Sequence, residues 1–82
     1  MKDTVFVGNV SFNTDKNSLE NVFSECGNII EVSIPVDRET RRPRGFAFVK
    51  FDSEEGAQKA LSLDGQLVDG RNIKVSQSRG KQ

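Results

Sequence analysis

The chain has 82 residues, enough for one small domain with a single hydrophobic core. Its one cysteine, Cys26, excludes an internal disulfide, and because histidine is also absent, no zinc site is expected. No cofactor is predicted. Twelve basic and twelve acidic residues cancel, a balance that by itself argues against a nucleic-acid partner. The first residues and the short apolar runs predict no leader peptide and no membrane span.

The first two predicted elements are a strand and an amphipathic helix. Residues 4–10 are rich in β-branched and aromatic side chains, which is typical of a strand. Either Thr14 or Asp15 is expected to cap the following helix, and Gly27 to adopt a left-handed conformation after it. The apolar stripe of this helix comprises Leu19, Val22, Phe23 and Cys26.

The second strand is predicted over residues 29–34. Val32 and Ile34 share one face of it, since side chains alternate along a strand. Ile29 and Ile30 cannot both lie on that face, so the pattern predicts a bulge or an exposed isoleucine.

A polar loop over residues 36–43 separates the second strand from the third. The third strand is expected to begin at Arg44 or Gly45 and to end at Phe51.

The second helix is predicted from a capping pattern and a narrow apolar stripe. Asp52 is followed three positions later by Glu55, which is typical of a helix start. The stripe is narrow and dominated by small residues: it consists of Ala57, Ala60 and Leu61.

The end of the chain is predicted to contain a hairpin and a last strand. Residues 67–68 form a short strand, and Asp69-Gly70 is a strong signal for a two-residue turn. A continuous strand is expected over residues 71–76, and residues 78–82 are expected to be frayed or linker-like.

This order, β-α-β-β-α-β, predicts an α+β domain of the ferredoxin-like type with a four-stranded antiparallel sheet. Because β-α-β crossovers are almost always right-handed, both helices are expected on one side of the sheet. The other side, which we call the open face, would then have no helix to cover it.

Three phenylalanines are predicted to lie on the open face. Side chains alternate along the third strand, so Phe46 and Phe48 point away from Phe51. Phe6 has the corresponding position in the first strand. A sheet covered on both sides would make these rings core, and an exposed apolar patch also fits a protein interface. Exposed rings beside basic side chains, however, favour bases stacked next to phosphates.

The charges are segregated along the chain although they cancel overall. Residues 38–50 and residues 71–82 each carry a local charge of +4, whereas residues 15–31 and 52–69 carry −3 and −4. This distribution places basic side chains near the third strand and the tail, and predicts that the acids lie on the helical side.

Two motifs resemble those of the RNA-recognition motif (RRM) family. Residues 44–51 match its eight-residue pattern, K/R-G-F/Y-G/A-F-V-x-F/Y, at every position, and residues 5–10 resemble its first-strand motif. The resemblance covers about residues 4–77, which implies an RRM domain over that range. Residues 1–3 would be an N-terminal extension and residues 78–82 a C-terminal tail.

The resemblance implies single-stranded RNA as the partner and a role for each motif residue. Phe6 is similar to the aromatic residue that stacks on one base, and Phe48 to the residue that stacks on its neighbour. Phe46 resembles the ring that inserts between two sugars, and Arg44 the basic residue that pairs with the phosphodiester between them.

Further candidates come from strand alternation and from strand ends. Lys50 and Lys74 are expected beside the rings on the open face, and Asn9 and Gln77 lie where a base edge could be recognised. Phe12, after the first strand, would either fill the edge of the core or stack an additional base.

The alternatives to RNA binding are an enzyme, a protein-binding domain and a domain that binds single-stranded DNA. An enzyme is not expected, because histidine and a phosphate-binding glycine loop are absent and the acids suit helix starts and surfaces. Members that look like binders of protein ligands carry an Arg-x-Phe pattern before the last strand and an acidic first helix. This chain has Arg71-Asn72-Ile73 there and so lacks the aromatic residue, but its first helix is mildly acidic, which leaves this alternative open. Single-stranded DNA stays open, since stacking does not distinguish the sugars.

Family analogy also implies a wider setting. It suggests a monomeric domain of a multi-RRM protein, together with further RRM or other domains, acting in RNA processing in the nucleus or nucleolus. A cytoplasmic location stays open.

Overall fold

The computed structural model describes residues 3–41 and 45–78. Six strands and two α-helices follow one another as β1 (Thr4–Gly8), α1 (Lys16–Phe23), β2 (Ile29–Ser33), β3 (Phe46–Phe51), α2 (Glu54–Ala60), β4 (Leu67–Val68), β5 (Arg71–Asn72) and β6 (Lys74–Gln77). A short 3₁₀ helix, Leu61–Leu63, extends α2. Within these described residues, no helix has the length and apolar character needed to cross a membrane.

The main sheet has four antiparallel strands in the order β2-β3-β1-β6, which confirms the predicted fold class. Both helices lie on one side, where Leu19 and Phe23 of α1 and Ala57 and Ala60 of α2 join a single core with the sheet. Phe23 meets Phe51 of β3 edge-on, with ring centroids 6.5 Å apart. The core thus occupies the helical side and leaves the open face uncovered by either helix.

β1 ends two residues before its predicted end. Asn9 has a φ of 57°, in the left-handed region that asparagine tolerates better than most residues. The pairing is nevertheless resumed at once, because the backbone N–H of Val10 donates to the carbonyl of Gly45 at 2.9 Å.

The start of α1 matches the prediction, but its end does not. Asp15 is the N-cap, and its carboxylate accepts from the backbone N–H of Ser18 at 2.9 Å. Gly27 does not have the expected positive φ. A Cβ on it would lie 3.0 Å from the Cα of Gly56, so its position favours glycine because two backbone segments approach each other closely there.

β2 contains the irregularity that its two adjacent isoleucines predicted. The register with β3 shifts between Ile29 and Glu31, and the intervening Ile30 is 60% exposed. The shift keeps Ile29 against the core and Val32 buried.

The cap of α2 is Ser53 and not Asp52, so that part of the prediction is wrong. The Ser53 hydroxyl accepts from the backbone N–H of Gly56 at 3.4 Å. The Asp52 carboxylate instead accepts from the Asn28 side-chain amide at 3.1 Å, which ties the end of β3 to the residue before β2.

The predicted hairpin is present, with left-handed φ values at Asp69 and Gly70 as a two-residue turn requires. The predicted single strand over 71–76 is wrong, since it divides at Ile73. β5 pairs with β4 in a separate small sheet, whereas β6 pairs with β1. Ile73 lies between them with a fully buried side chain, so the chain changes sheets there without leaving the core.

Ser78 is not part of a frayed tail. It is buried, and its backbone N–H donates to the carbonyl of Thr4 at 3.0 Å. The rest of the predicted tail, residues 79–82, lies outside the described residues, as do residues 1–2 of the predicted extension.

Candidate nucleic-acid interface

The register of the two central strands brings the three predicted phenylalanines together. Phe6 of β1 is directly opposite Phe48 of β3, and Gly8 is opposite Phe46. Phe46 and Phe48 are two positions apart on one strand and so share a face. All three are half-buried, in contrast to the fully buried Phe51 on the helical side.

The three rings form one continuous cluster on the open face. Ring centroids lie 5.6 Å apart for Phe6 and Phe46, 5.6 Å for Phe6 and Phe48, and 5.8 Å for Phe46 and Phe48. The first pair is stacked with planes 28° apart, and the other two pairs meet edge to face. These are favourable aromatic geometries, so the rings hold one another in place while part of each stays accessible.

Gly8 lies in close contact with the Phe6 ring, and sequence analysis did not single it out. A Cβ on Gly8 would be 3.1 Å from Cε1 of Phe6, so a larger residue would require the ring to shift slightly. The spacing of two residues between Phe6 and Gly8 on one face was the available signal.

Two of the predicted basic residues flank the ring cluster. Lys50 is half-buried at the end of β3, and its cross-strand partners are Thr4 and Glu31. Lys74 is exposed on β6, opposite Gly8. Because Gly8 separates Lys74 from Phe46 across the sheet, one cation lies on each side of the aromatic cluster. Arg44, the third predicted cation, lies outside the described residues.

Asn9 is occupied by contacts within the protein. Its amide N–H donates to the carbonyl of Asn72 at 2.8 Å, and its amide oxygen accepts from the Arg71 guanidinium at 2.9 Å. A third side-chain bond, from the Thr14 hydroxyl to the Asp69 carboxylate at 2.6 Å, joins the same two segments. These bonds fasten the β4-β5 hairpin to the loop after β1. Asn9 is nevertheless exposed, and its amide has a second N–H and a second lone pair, so its role at a base edge stays a prediction.

Gln77 and Phe12 lie elsewhere than the centre of the open face. Gln77 is the cross-strand partner of Val5, so its side chain points to the helical side of the sheet. It is exposed there because it lies at the end of the edge strand β6. Phe12 is 59% exposed, so the prediction that it fills the core edge is wrong. Its alternative role, stacking an additional base, stays a prediction.

One acidic residue lies on the open face, against the expectation that the acids lie on the helical side. Glu31 of β2 is exposed and is the cross-strand partner of Lys50, while Val32 next to it points into the core. Alternation from the buried Val32 was the signal that could have placed it there.

Two cavities differ in their relation to the rings. A groove of about 410 Å³ lies between α1 and β2 and is lined by none of the phenylalanines. A smaller cavity of about 170 Å³ lies on the open face beside Phe48. The described residues hold no cluster of histidine, cysteine, aspartate or glutamate that could bind a metal ion.

The match to the RNA recognition motif family model covers residues 5–74. The chain belongs to the RNA recognition motif family. Its fold is also similar to that of an SXL-lethal protein in complex with RNA, with a TM-score of 0.87, 30% identity, and coverage of 94% of this chain and 48% of that one.

Curated relatives of this RRM include two organelle proteins of Arabidopsis thaliana. It is 50% identical over 72 residues to the mitochondrial glycine-rich RNA-binding protein 5, a match covering 88% of this chain and 25% of the relative. It is 44% identical over 78 residues to the chloroplastic RNA-binding protein CP29B, with coverage of 94% and 27%. The RRM therefore spans about a quarter of the length of these two relatives.

Proposed function

We propose that this RRM binds single-stranded RNA on its open face, with the bases stacked on Phe6 and Phe48. The observation that carries the proposal is the cluster of three half-buried rings on the side of the sheet that neither helix covers. Apolar surface of this kind is retained when it has a ligand, and aromatic faces suit unstacked bases.

Each side chain has a proposed role in that complex. Phe6 and Phe48 are directly cross-strand, and neighbouring strands lie about 4.8 Å apart, so their rings suit consecutive bases. Phe46 inserts between the two sugars, and Arg44 pairs with the phosphodiester that joins them. Lys74 contributes a further phosphate contact from the β6 side.

Names of relatives and solved structures support RNA as the ligand, since they describe RNA-binding proteins and an RNA complex. The bounds of the RRM domain, residues 4–77, and the roles of Asn9 and Gln77 at base edges stay predictions. So do the monomeric state and a multi-RRM parent protein. The nuclear or nucleolar location and the role in RNA processing also stay predictions. The relatives named as mitochondrial and chloroplastic do not support them.

The test is a titration of the domain with a randomised octanucleotide RNA, followed by amide chemical-shift mapping. Two stacked bases at about 1–3 kcal/mol each, offset by association entropy, predict a Kd on the order of 1 µM or weaker. Shifts are expected on β1 and β3. Shifts confined to α1 and α2 would contradict the proposal, and tighter binding of the matching DNA would assign the face to DNA.

A further inference from the structure

Glu31 is an anion on the surface proposed to bind a polyanion. It lies on β2, opposite Lys50, and is exposed on the same side of the sheet as the rings. A carboxylate there repels phosphates, which weakens the binding of any RNA by the electrostatic contribution that Lys74 and Arg44 are expected to strengthen. A favourable contact between Glu31 and another part of the RNA would compensate for this repulsion.

The cavity of about 170 Å³ beside Phe48 offers that interaction. We call it the Phe48 notch, and it is lined by Thr4, Glu31, Ser33, Phe48 and Lys50. Ser33 of β2 is the cross-strand partner of Phe48, and Thr4 of β1 is that of Lys50, so the notch extends from the β2 side of the ring past Lys50 to β1. A base stacked on Phe48 would extend its hydrogen-bonding edge into this notch.

The donors and acceptors of the notch are asymmetric. The Glu31 carboxylate is an acceptor with two oxygens, the Lys50 ammonium is a donor, and the hydroxyls of Thr4 and Ser33 can do either. A base that pairs with both carboxylate oxygens and with the ammonium must therefore present two adjacent N–H donors and an acceptor next to them.

Guanine meets this requirement and the other three bases do not. Its N1–H and N2–H groups are adjacent donors that match the two oxygens of one carboxylate, and its O6 is an acceptor next to them. Adenine and cytosine can donate to one carboxylate oxygen through their amino group and offer a ring nitrogen to the ammonium, but they have no second adjacent donor for the other carboxylate oxygen. Uracil has one N–H between two carbonyl oxygens, which a carboxylate repels.

We propose that the Phe48 notch selects guanine for the base stacked on Phe48, with Glu31 as the specificity-determining residue and Lys50 directed at O6. This inference rests on the proposed RNA binding. It assigns Lys50 to a base edge, whereas the phosphate contacts are left to Lys74 and Arg44.

The competing explanation is that Glu31 only forms a cross-strand charge pair with Lys50. In that case the carboxylate repels every RNA equally. Its removal would strengthen binding to all RNAs by the same factor.

Octanucleotides of uridine that contain one central guanosine, adenosine, cytidine or inosine, together with the all-uridine RNA, separate these explanations. A single central base avoids self-association of guanosine runs, and sliding lets the preferred base reach the notch. Fluorescence anisotropy is measured for the wild type, for Glu31→Gln and for Glu20→Gln. Glu20 is an exposed acid on α1, so its variant removes the same charge from the helical side.

The wild type is expected to bind the guanosine RNA about tenfold more tightly than the adenosine, cytidine and all-uridine RNAs. Inosine, which lacks the 2-amino group, is expected to fall between them. Glu31→Gln should lose most of the guanosine preference while binding the all-uridine RNA as well as the wild type or better. Glu20→Gln should keep the preference.

Equal binding of all five RNAs by the wild type would overturn the inference while leaving the proposed function intact. So would a Glu31→Gln variant that binds every RNA more tightly by one common factor. If no RNA of the set binds, the proposed function itself fails.

Discussion

At the scale of single residues, the face of the strand decides what a phenylalanine does. Phe48 and Phe51 lie three positions apart on β3, and alternation sends them to opposite sides of the sheet. Phe51 is fully buried against Phe23, whereas Phe48 stays half-buried beside Phe6 and Phe46. The same side chain therefore stabilises the core at one position and is available to a ligand at the other.

Phe48→Ala is expected to weaken RNA binding by about 1–3 kcal/mol, because one stacking surface is lost. The free energy of unfolding should fall by no more than about 1 kcal/mol, which corresponds to the ring contacts with its two neighbours. Anisotropy titration and thermal denaturation measure the two effects. A severe loss of stability would show that Phe48 belongs to the core.

Phe51→Leu is the matched control on the opposite face. It leaves a cavity in the core, so it should lower the melting temperature while the folded protein binds RNA as the wild type does. Weakened binding by the folded variant would indicate that the open face responds to core packing and is not an independent surface.

At the scale of elements, α1 depends on its cap and its packing. Its eight residues are fewer than the roughly 12–15 that an isolated helix needs in water. Two contacts compensate: Leu19 and Phe23 are buried in the core, and Asp15 accepts from the backbone N–H of Ser18. That hydrogen bond lowers the pKa of the Asp15 carboxyl below its ordinary value.

This shift predicts a pH dependence of stability. Because the folded-state pKa of Asp15 is depressed, its stabilising contribution is present above the unfolded value of about 3.9 and is lost as the pH falls through the folded value. Asp15→Asn keeps a capping oxygen without a titrating group. The difference in unfolding free energy between wild type and variant, measured by urea denaturation across pH, should therefore persist above about pH 4 and shrink as the pH falls further through the folded value. A constant difference at every pH would contradict the role of the ionised cap.

At the scale of the whole molecule, the position of the charges matters more for RNA binding than the net charge. Twelve acidic and twelve basic residues cancel, yet Lys50 and Lys74 lie on the open face with the rings. Glu20, Glu54 and Glu55 are exposed on the helices. A neutral protein can therefore present a basic surface to RNA, with Glu31 as an exception that the proposed guanine contact explains.

Replacing both Arg44 and Lys74 by alanine should weaken all RNAs similarly, because phosphate contacts carry no base information. The slope of log K against log salt concentration should become shallower by about 1.4, or about 0.7 for each contact to a single strand. Lys16→Ala with Lys59→Ala removes the same charge from the two helices and should leave the slope close to that of the wild type. An unchanged slope in the Arg44 and Lys74 variant would exclude their phosphate role.

The amino-acid sequence by itself determined the order of the main elements, the fold class, the Asp69-Gly70 turn and the face of each phenylalanine in β1 and β3. These features depend on local periodicity, on turn chemistry and on the handedness of crossovers, which can be recognised without knowing distant contacts. The same local rules predicted a bulge or an exposed isoleucine in β2, and both are present.

Tertiary structure alone decided features that depend on residues distant in the chain. Gly27 is favoured by its close approach to Gly56 rather than by its own φ, and Asn9 is engaged by Arg71 and Asn72 more than sixty positions away. The last strand divides because its two halves pair with different partners. Likewise, only the register of β2 against β3 places Glu31 beside Lys50, and with it the polar notch next to the Phe48 ring.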